Sequence, residues 1–535
     1  MQQTVMSINP ANLVNALRLS FTNSTTVLGE LMQNSRRAQA TSVEFTFDHQ
    51  INTLTVTDDG CGIESINKLL TVAESGWNAD VIAQEHPFGI GFLSALYSCR
   101  HITVVSKSGK LMSGTDEILT FQPVSIAPVD DWDRKTVITL QDIGLEFDQI
   151  KRKLIELARG FPIPIVFDGQ ILSRCCAIDS SSEFIDTEIG SVLLMGLDNK
   201  RSCVDIDVYL QGLPIYRTNK TYGDAIPRHV IHLDPSKFMA RLPDRDKLVD
   251  EEDVINITKN VLAKHIEGYY LKLKATADPI DFVASYQMLK DWKLLHLLND
   301  VPVIPAFVLQ TFVDYPNCDE SAFGHYLFPS TVASTWDDLN TQGVVSIDEC
   351  VENDGALCHM FAMQKGHYVY HGELHPGHWI QSLVKKLENP TIELINETRS
   401  VLFKGDWDWV QVRFCDSYVI TIGNETIEIR GHAVYLGEEN GDEVVMPSLD
   451  NTPSVLTQTS SYRGEHEDFQ QSAYESDQAE FHSFCVANRT DDPLVGIRQL
   501  LPTQLLCPIL YGNSFHLHVN ADGNLTVNSL EKMVA

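Results

Sequence analysis

The chain has 535 residues, 43% of them hydrophobic and 21% charged, so it is too long for a single core at roughly 100–200 residues per domain and too apolar for a disordered chain. Its 40 Lys and Arg against 72 Asp and Glu give a net charge of −32, which opposes indiscriminate binding to nucleic-acid backbones and anionic membranes. No run reaches the roughly 18–20 apolar residues of a membrane span. Residues 1–10 lack the charged-then-apolar order of a secretory signal, and the 11 dispersed cysteines contain no Cys-x-x-Cys, so a soluble, cytoplasmic, reduced protein is expected.

Apolar periodicity predicts helices over 11–19 and 26–40, then strands over 43–47 and 53–57 joined by a polar turn. Further strands are predicted at 102–106, 120–124 and 136–140, with an apolar helix at 92–98 after a glycine pair. A middle α/β segment follows, with strands near 192–195 and 204–210 and a long helix over 251–272. Helical periodicity continues from 278 to 298, and prolines punctuate what comes next. The remainder reads as largely β, with hairpins around Gly423-Asn424 and Asp522-Gly523. Residues 451–479 are polar and predict a mobile loop. The fold class is therefore α+β, divided as 1–170, a 171–275 middle domain, a 276–345 connector and a 346–535 β-rich region.

Three short motifs in the first segment carry chemistry. In Glu30-Leu31-Met32-Gln33-Asn34 the Glu and the Asn, four residues apart, share a helix face. A carboxylate can orient and deprotonate a water, and an amide oxygen is a hard ligand suited to Mg²⁺. In Asp58-Asp59-Gly60-Cys61-Gly62-Ile63 a carboxylate and two glycines follow a strand, placing an acceptor beside backbone that a ligand can approach. A plain Asp/Gly turn explains the same residues. In Phe88-Gly89-Ile90-Gly91-Phe92-Leu93-Ser94 a glycine pair opens a helix whose free N–H groups favour phosphate, without the Lys of a P-loop.

As an ordered set, these motifs resemble the GHKL ATPase superfamily of gyrase, the 90-kDa heat-shock chaperones, histidine kinases and MutL. The glycine-rich stretch and the strand after it are similar to the chaperones, while the 28 residues from Glu30 to Asp58 are similar to MutL. The likeness covers about residues 10–170. It implies a Bergerat-type helix-on-sheet domain that binds ATP with Mg²⁺. It further implies Glu30 as general base, Asn34 as metal ligand, Asp58 as adenine reader supported by Thr136, Gly60 and Gly62 making room for the nucleotide, and Gly89 and Gly91 wrapping phosphates in a mobile lid. The cation that completes such sites comes from the following domain, for which Arg241, Arg245 and Lys247 are the candidates; a solvated charge run explains them equally. One departure stands out: Arg37 precedes Ala38 where the family has Asp.

The resemblance implies a Mg-dependent ATPase acting as a conformational switch of the chaperone type, closing a homodimer on protein partners, its first ~20 residues reaching across to the second subunit. The alternatives are a DNA-linked ATPase of MutL or topoisomerase type, which the net charge disfavours, and a nucleotide-binding scaffold without turnover. The Cys and His residues between 350 and 378 fit no standard zinc spacing, and Asp205 with Asp207 reads as strand alternation.

Overall fold

A computed structural model describes residues 9–21, 23–72, 74, 77, 89–197, 203–218, 227–312, 327–348, 356–406, 409–430, 433–436, 443–446, 455–456, 459–460, 470–502 and 506–529. The chain divides into two compact units, Met1–Leu295 and His296–Ala535.

In the first unit, α1 (Pro10–Ser20) starts with Asn9 accepting the Asn12 N–H and proline in the first turn, an arrangement that satisfies an otherwise orphaned donor. This helix rests on its own chain, Tyr97 donating its hydroxyl to the Val14 carbonyl at 2.7 Å. Helix α2 (Thr26–Arg37) ends where Gln39 turns to φ +58°, a left-handed stop. The hairpin β1 (Val43–Asp48) and β2 (Thr53–Asp58) follows, then the short α3 (Ile66–Leu69) and α4 (Gly91–Ser98).

The polar turn after β3 (His101–Ser106) leads into β4 (Gly109–Gly114), a strand that the sequence reading missed. The strand predicted over 120–124 does not form. Helix α5 (Thr115–Leu119) runs into a turn there, and β5 is only Ile126–Ala127. Cross-strand pairing decides this region, because β4 pairs fully with β3 from His101 opposite Gly114 to Ser106 opposite Gly109. Next come β6 (Thr136–Gln141), α6 (Phe147–Ala158), β7 (Ile165–Phe167) and β8 (Gln170–Ile171). The eight strands form one sheet in the order β5-β4-β3-β6-β2-β1-β7-β8. Along β1, Val43 and Phe45 are buried while Glu44 and Thr46 are exposed, the alternation of a sheet with one covered face. The covering layer includes α2, whose Val27, Leu28, Leu31 and Met32 join Phe45, Leu54, Val56, Val104 and Leu140 in the core.

The same unit continues into a mixed five-stranded sheet, β9 (Ile185–Thr187), β10 (Gly190–Leu193), β11 (Ile206–Leu210), β12 (Leu213–Arg217) and β13 (His229–Leu233), in the order β12-β11-β13-β10-β9. Asp205 sits 3.9 Å from the buried Arg228, and the buried Asp207 sits 3.2 Å from the partly exposed Arg217, as structural ion pairs. The long helix α7 (Glu251–Thr276) carries three acidic residues in its first turn, favourable against the helix dipole.

The second unit holds a mixed sheet of five strands, antiparallel sheets of three and four strands, and a terminal hairpin of Phe515–Val519 with Leu525–Ser529. The hairpin predicted at Gly423-Asn424 forms from Ser417–Ile422 and Glu425–Ile429. The loop predicted over 451–479 is contradicted from residue 471 onward, where a helix spans Gln471–Arg489. Its apolar stripe of Tyr474, Phe481, Phe484 and Cys485 packs with Phe403, Val412 and Phe414; tertiary burial outweighs a polar average composition. Among the histidines predicted not to form a zinc site, His378 caps the turn at Trp379–Ser382 by accepting the Ile380 N–H, and Asn299 and Gly377 both donate to His375. Cys350 lies outside the described residues. No described helix is long and apolar enough to cross a membrane.

Candidate functional site

Helix α2 is buried on nearly every side, and each side has a separate partner. Its apolar face enters the sheet core. Thr26, Glu30 and Gln33, at helical spacing i, i+4, i+7, meet the middle sheet and the loop after it. Thr26 donates to the Asp244 carboxylate at 2.8 Å, Gln33 donates to the Gln211 carbonyl at 2.9 Å, and Glu30 Oε1 forms an ion pair with Arg245 Nε at 3.0 Å. Glu30, Asn34, Arg37 and Ala38, one to two turns apart, line a cavity of about 600 Å³, inside the ~300–1,000 Å³ range of small-molecule sites.

The Glu30–Arg245 pair is nearly dry, with side chains 6% and 13% exposed. Arg245 is held in a closed loop: Ala240 bridges Leu248, and the Arg241 N–H and Arg245 N–H donate to the carbonyls of Lys247 and Arg241. Its φ is +54°, a conformation that disfavours a side-chain-bearing residue and that proteins tend to keep where the side chain is needed. Arg241 instead lines a neighbouring apolar cavity of about 240 Å³, and Lys247 is exposed. Of the three candidate cations, the fold brings Arg245 to Glu30.

Asp58 ends β2 at the cavity wall, opposite Thr136 in the β2–β6 register. Its carboxylate accepts the Gly60 N–H at 3.0 Å and the Ser35 hydroxyl at 3.2 Å. Thr136 shares a 3.1 Å hydrogen bond with Ser106, whose oxygen accepts the Ile63 N–H. Burial pushes the Asp58 pKa above the ordinary carboxylate value against the pull of these hydrogen bonds, and the neighbouring Asp59 charge adds to the rise. A raised folded pKa means that the folded protein holds the proton more tightly than the unfolded chain, so the group stabilises below its unfolded pKa and that contribution is lost as pH rises through the folded value. Relative to the natural protein, Asp58→Asn is therefore expected to gain melting temperature as pH moves from acid to neutral. Unchanged melts across that range would contradict this.

The glycines divide by role. A Cβ at Gly60 would strike Ala38 at 2.7 Å, and one at Gly62 would strike the Trp132 ring. A side chain at either position would therefore displace the chain's own packing beside the cavity, which Gly62 borders. Gly89 and Gly91 both line it. A Cβ at Gly91 would lie 2.0 Å from Glu30 Oε2, so this helix start accepts the carboxylate only because no side chain is present. Phe88 and the rest of 78–88 lie outside the described residues.

Sequence reasoning missed Ser35, Ser106, Thr26, Gln33, Gln211 and Asp244. The i, i+4, i+7 polar series on an otherwise buried helix was the available signal for Thr26 and Gln33. The partners 178 and 218 residues away had none.

A sheet covered on one face by helices, with a carboxylate and an amide on one helix facing a cavity and an Asp at a strand end across it, has the architecture of a nucleotide-binding helix-on-sheet domain. Residues 22–155 match the family described as histidine kinase-, DNA gyrase B-, and HSP90-like ATPase. This segment is a GHKL ATP-binding domain. No curated protein matches the chain.

Proposed function

We propose that the chain is a Mg²⁺-dependent ATPase that works as a conformational switch, with nucleotide in the 600 Å³ cavity changing how the middle domain engages the ATPase domain. The observation that carries this reading is the Glu30–Arg245 pair, which ties the proposed base to the proposed sensor across the two parts of the first unit.

The cavity suits the groups required. Asn34 offers an amide oxygen on the same wall as Glu30, the donor type that Mg²⁺ takes alongside phosphate oxygens. Bound there, the ion would neutralise phosphate charge. Asp58, when ionised, accepts from the exocyclic amine of adenine, and Thr136 opposite it supports that contact. Glu30 orients a water in line with the γ-phosphorus and takes its proton; the water oxygen bonds to phosphorus as the bond to the β-bridging oxygen breaks, and ADP leaves with the electron pair. Arg245, drawn from Glu30 to the γ-phosphate, stabilises the developing charge and frees the carboxylate for the water. The resting ion pair therefore links base activation to the presence of a third phosphate.

The switch acts as a homodimer on protein partners. Light-scattering mass of Glu30→Gln with Mg²⁺ and ATP, against ADP and no nucleotide, is expected to show dimerisation, or compaction of an existing dimer, with the triphosphate alone. Unchanged mass and radius despite measured binding would contradict the switch and leave a static nucleotide-bound scaffold.

A further inference from the structure

Arg37 is 7% exposed, yet it stands in the wall of the cavity one turn beyond Asn34. Its Nη1 lies 3.5 Å from the Asn34 side-chain oxygen. A guanidinium is costly to desolvate and settles where anionic or strongly polar groups face it. Here the wall it joins is the one that carries Glu30 and Asn34, and Lys68 lines the same cavity. Its planar fork of donors matches phosphate oxygens in pairs.

The position beside Asn34 has a consequence for charge. A divalent cation and a guanidinium directed at one amide oxygen repel each other in a partly dry site. When Asn34 turns its oxygen to a cation, Arg37 yields that oxygen, and the polyphosphate of a bound nucleotide is an anion that can reach this wall. When no divalent cation is present, Arg37 is already in place to meet that polyphosphate.

We propose that Arg37 is a polyphosphate ligand of this site, carrying charge compensation that would otherwise fall to the metal alone, so that nucleotide binding survives removal of Mg²⁺. This rests on the ATP-site reading above and adds to it a residue that sets how far the phosphates depend on the metal.

The test is calorimetric titration of the full chain with ATP and with adenosine, in Mg²⁺ and in EDTA, for the natural protein, Arg37→Gln and Arg37→Lys. For the natural protein, EDTA is expected to weaken ATP binding by less than about tenfold. Arg37→Gln should lose a further ten- to hundredfold in EDTA, about the effect of one charged hydrogen-bonding partner, and only a few-fold in Mg²⁺. Arg37→Lys should recover part of that loss, and adenosine affinity should be the same in all three proteins. The proposal is overturned if Arg37→Gln binds ATP in EDTA as the natural protein does, or if it weakens adenosine and ATP equally. Failure of the natural protein to bind either compound overturns the nucleotide-site reading itself, and the role of Arg37 with it.

Discussion

Glu30→Gln is expected to bind ATP within a few-fold of the natural protein and to hydrolyse it roughly 10²- to 10⁴-fold more slowly, the share that a positioned general base contributes. Glutamine is the informative replacement because the site is dry. Glu30 is 5% exposed and its Oε1 faces Arg245 at 3.0 Å. An alanine would leave that guanidinium beside a void, whereas the glutamine amide keeps an oxygen toward it and fills the same volume. Its terminus also fits against Gly91, which approaches so closely that any side chain at 91 would expel it. Glutamine binds a water but cannot take its proton. Phosphate release at saturating ATP measures the effect, and unchanged turnover would remove Glu30 from the chemistry.

Arg245→Ala should lower turnover by about 10³-fold or more, the range seen when a transition-state arginine is withdrawn. It should also lower stability, since breaking a buried pair from one side leaves an uncompensated charge at a cost of about 3–5 kcal/mol. The two effects separate in a double-mutant cycle. Glu30→Gln with Arg245→Ala removes both charges and is expected to recover most of the stability and none of the turnover. Arg245→Lys, which keeps the charge without the fork, should retain stability and part of the activity. Arg241→Ala and Lys247→Ala should stay within a few-fold of the natural rate, because neither residue lines the cavity around Glu30. Full activity in Arg245→Ala would move the sensor elsewhere.

What the sequence revealed of this site follows from how local each feature is. Glu30 and Asn34 were legible because four residues of helix place them on one face, and Asp58 because a strand ends in an Asp/Gly turn. Thr136 was reached only through family likeness; its position opposite Asp58 is a register fact that no local pattern encodes. Three cations in seven residues were indistinguishable by composition, and the left-handed backbone at Arg245 with the Ala240–Leu248 bridge selects among them. The same limit explains the misread elements. Strand β4 and the turn at 120–121 were decided by pairing with β3, and the helix from Gln471 by a narrow apolar stripe against Phe403 and Phe414.

The most direct test of the account is calorimetric titration of Glu30→Gln with Mg²⁺ and ATP, repeated with GTP and on the additional Asp58→Asn background. One ATP per chain is expected, with GTP weaker by at least about tenfold because a guanine edge reverses the donor that Asp58 accepts, and with most ATP affinity lost in Asp58→Asn, since removing one partner of a buried charged hydrogen bond costs about 1.5–3 kcal/mol. No heat of binding, or equal affinities for ATP, GTP and the Asp58→Asn protein, would contradict the assignment of this cavity to adenine nucleotide.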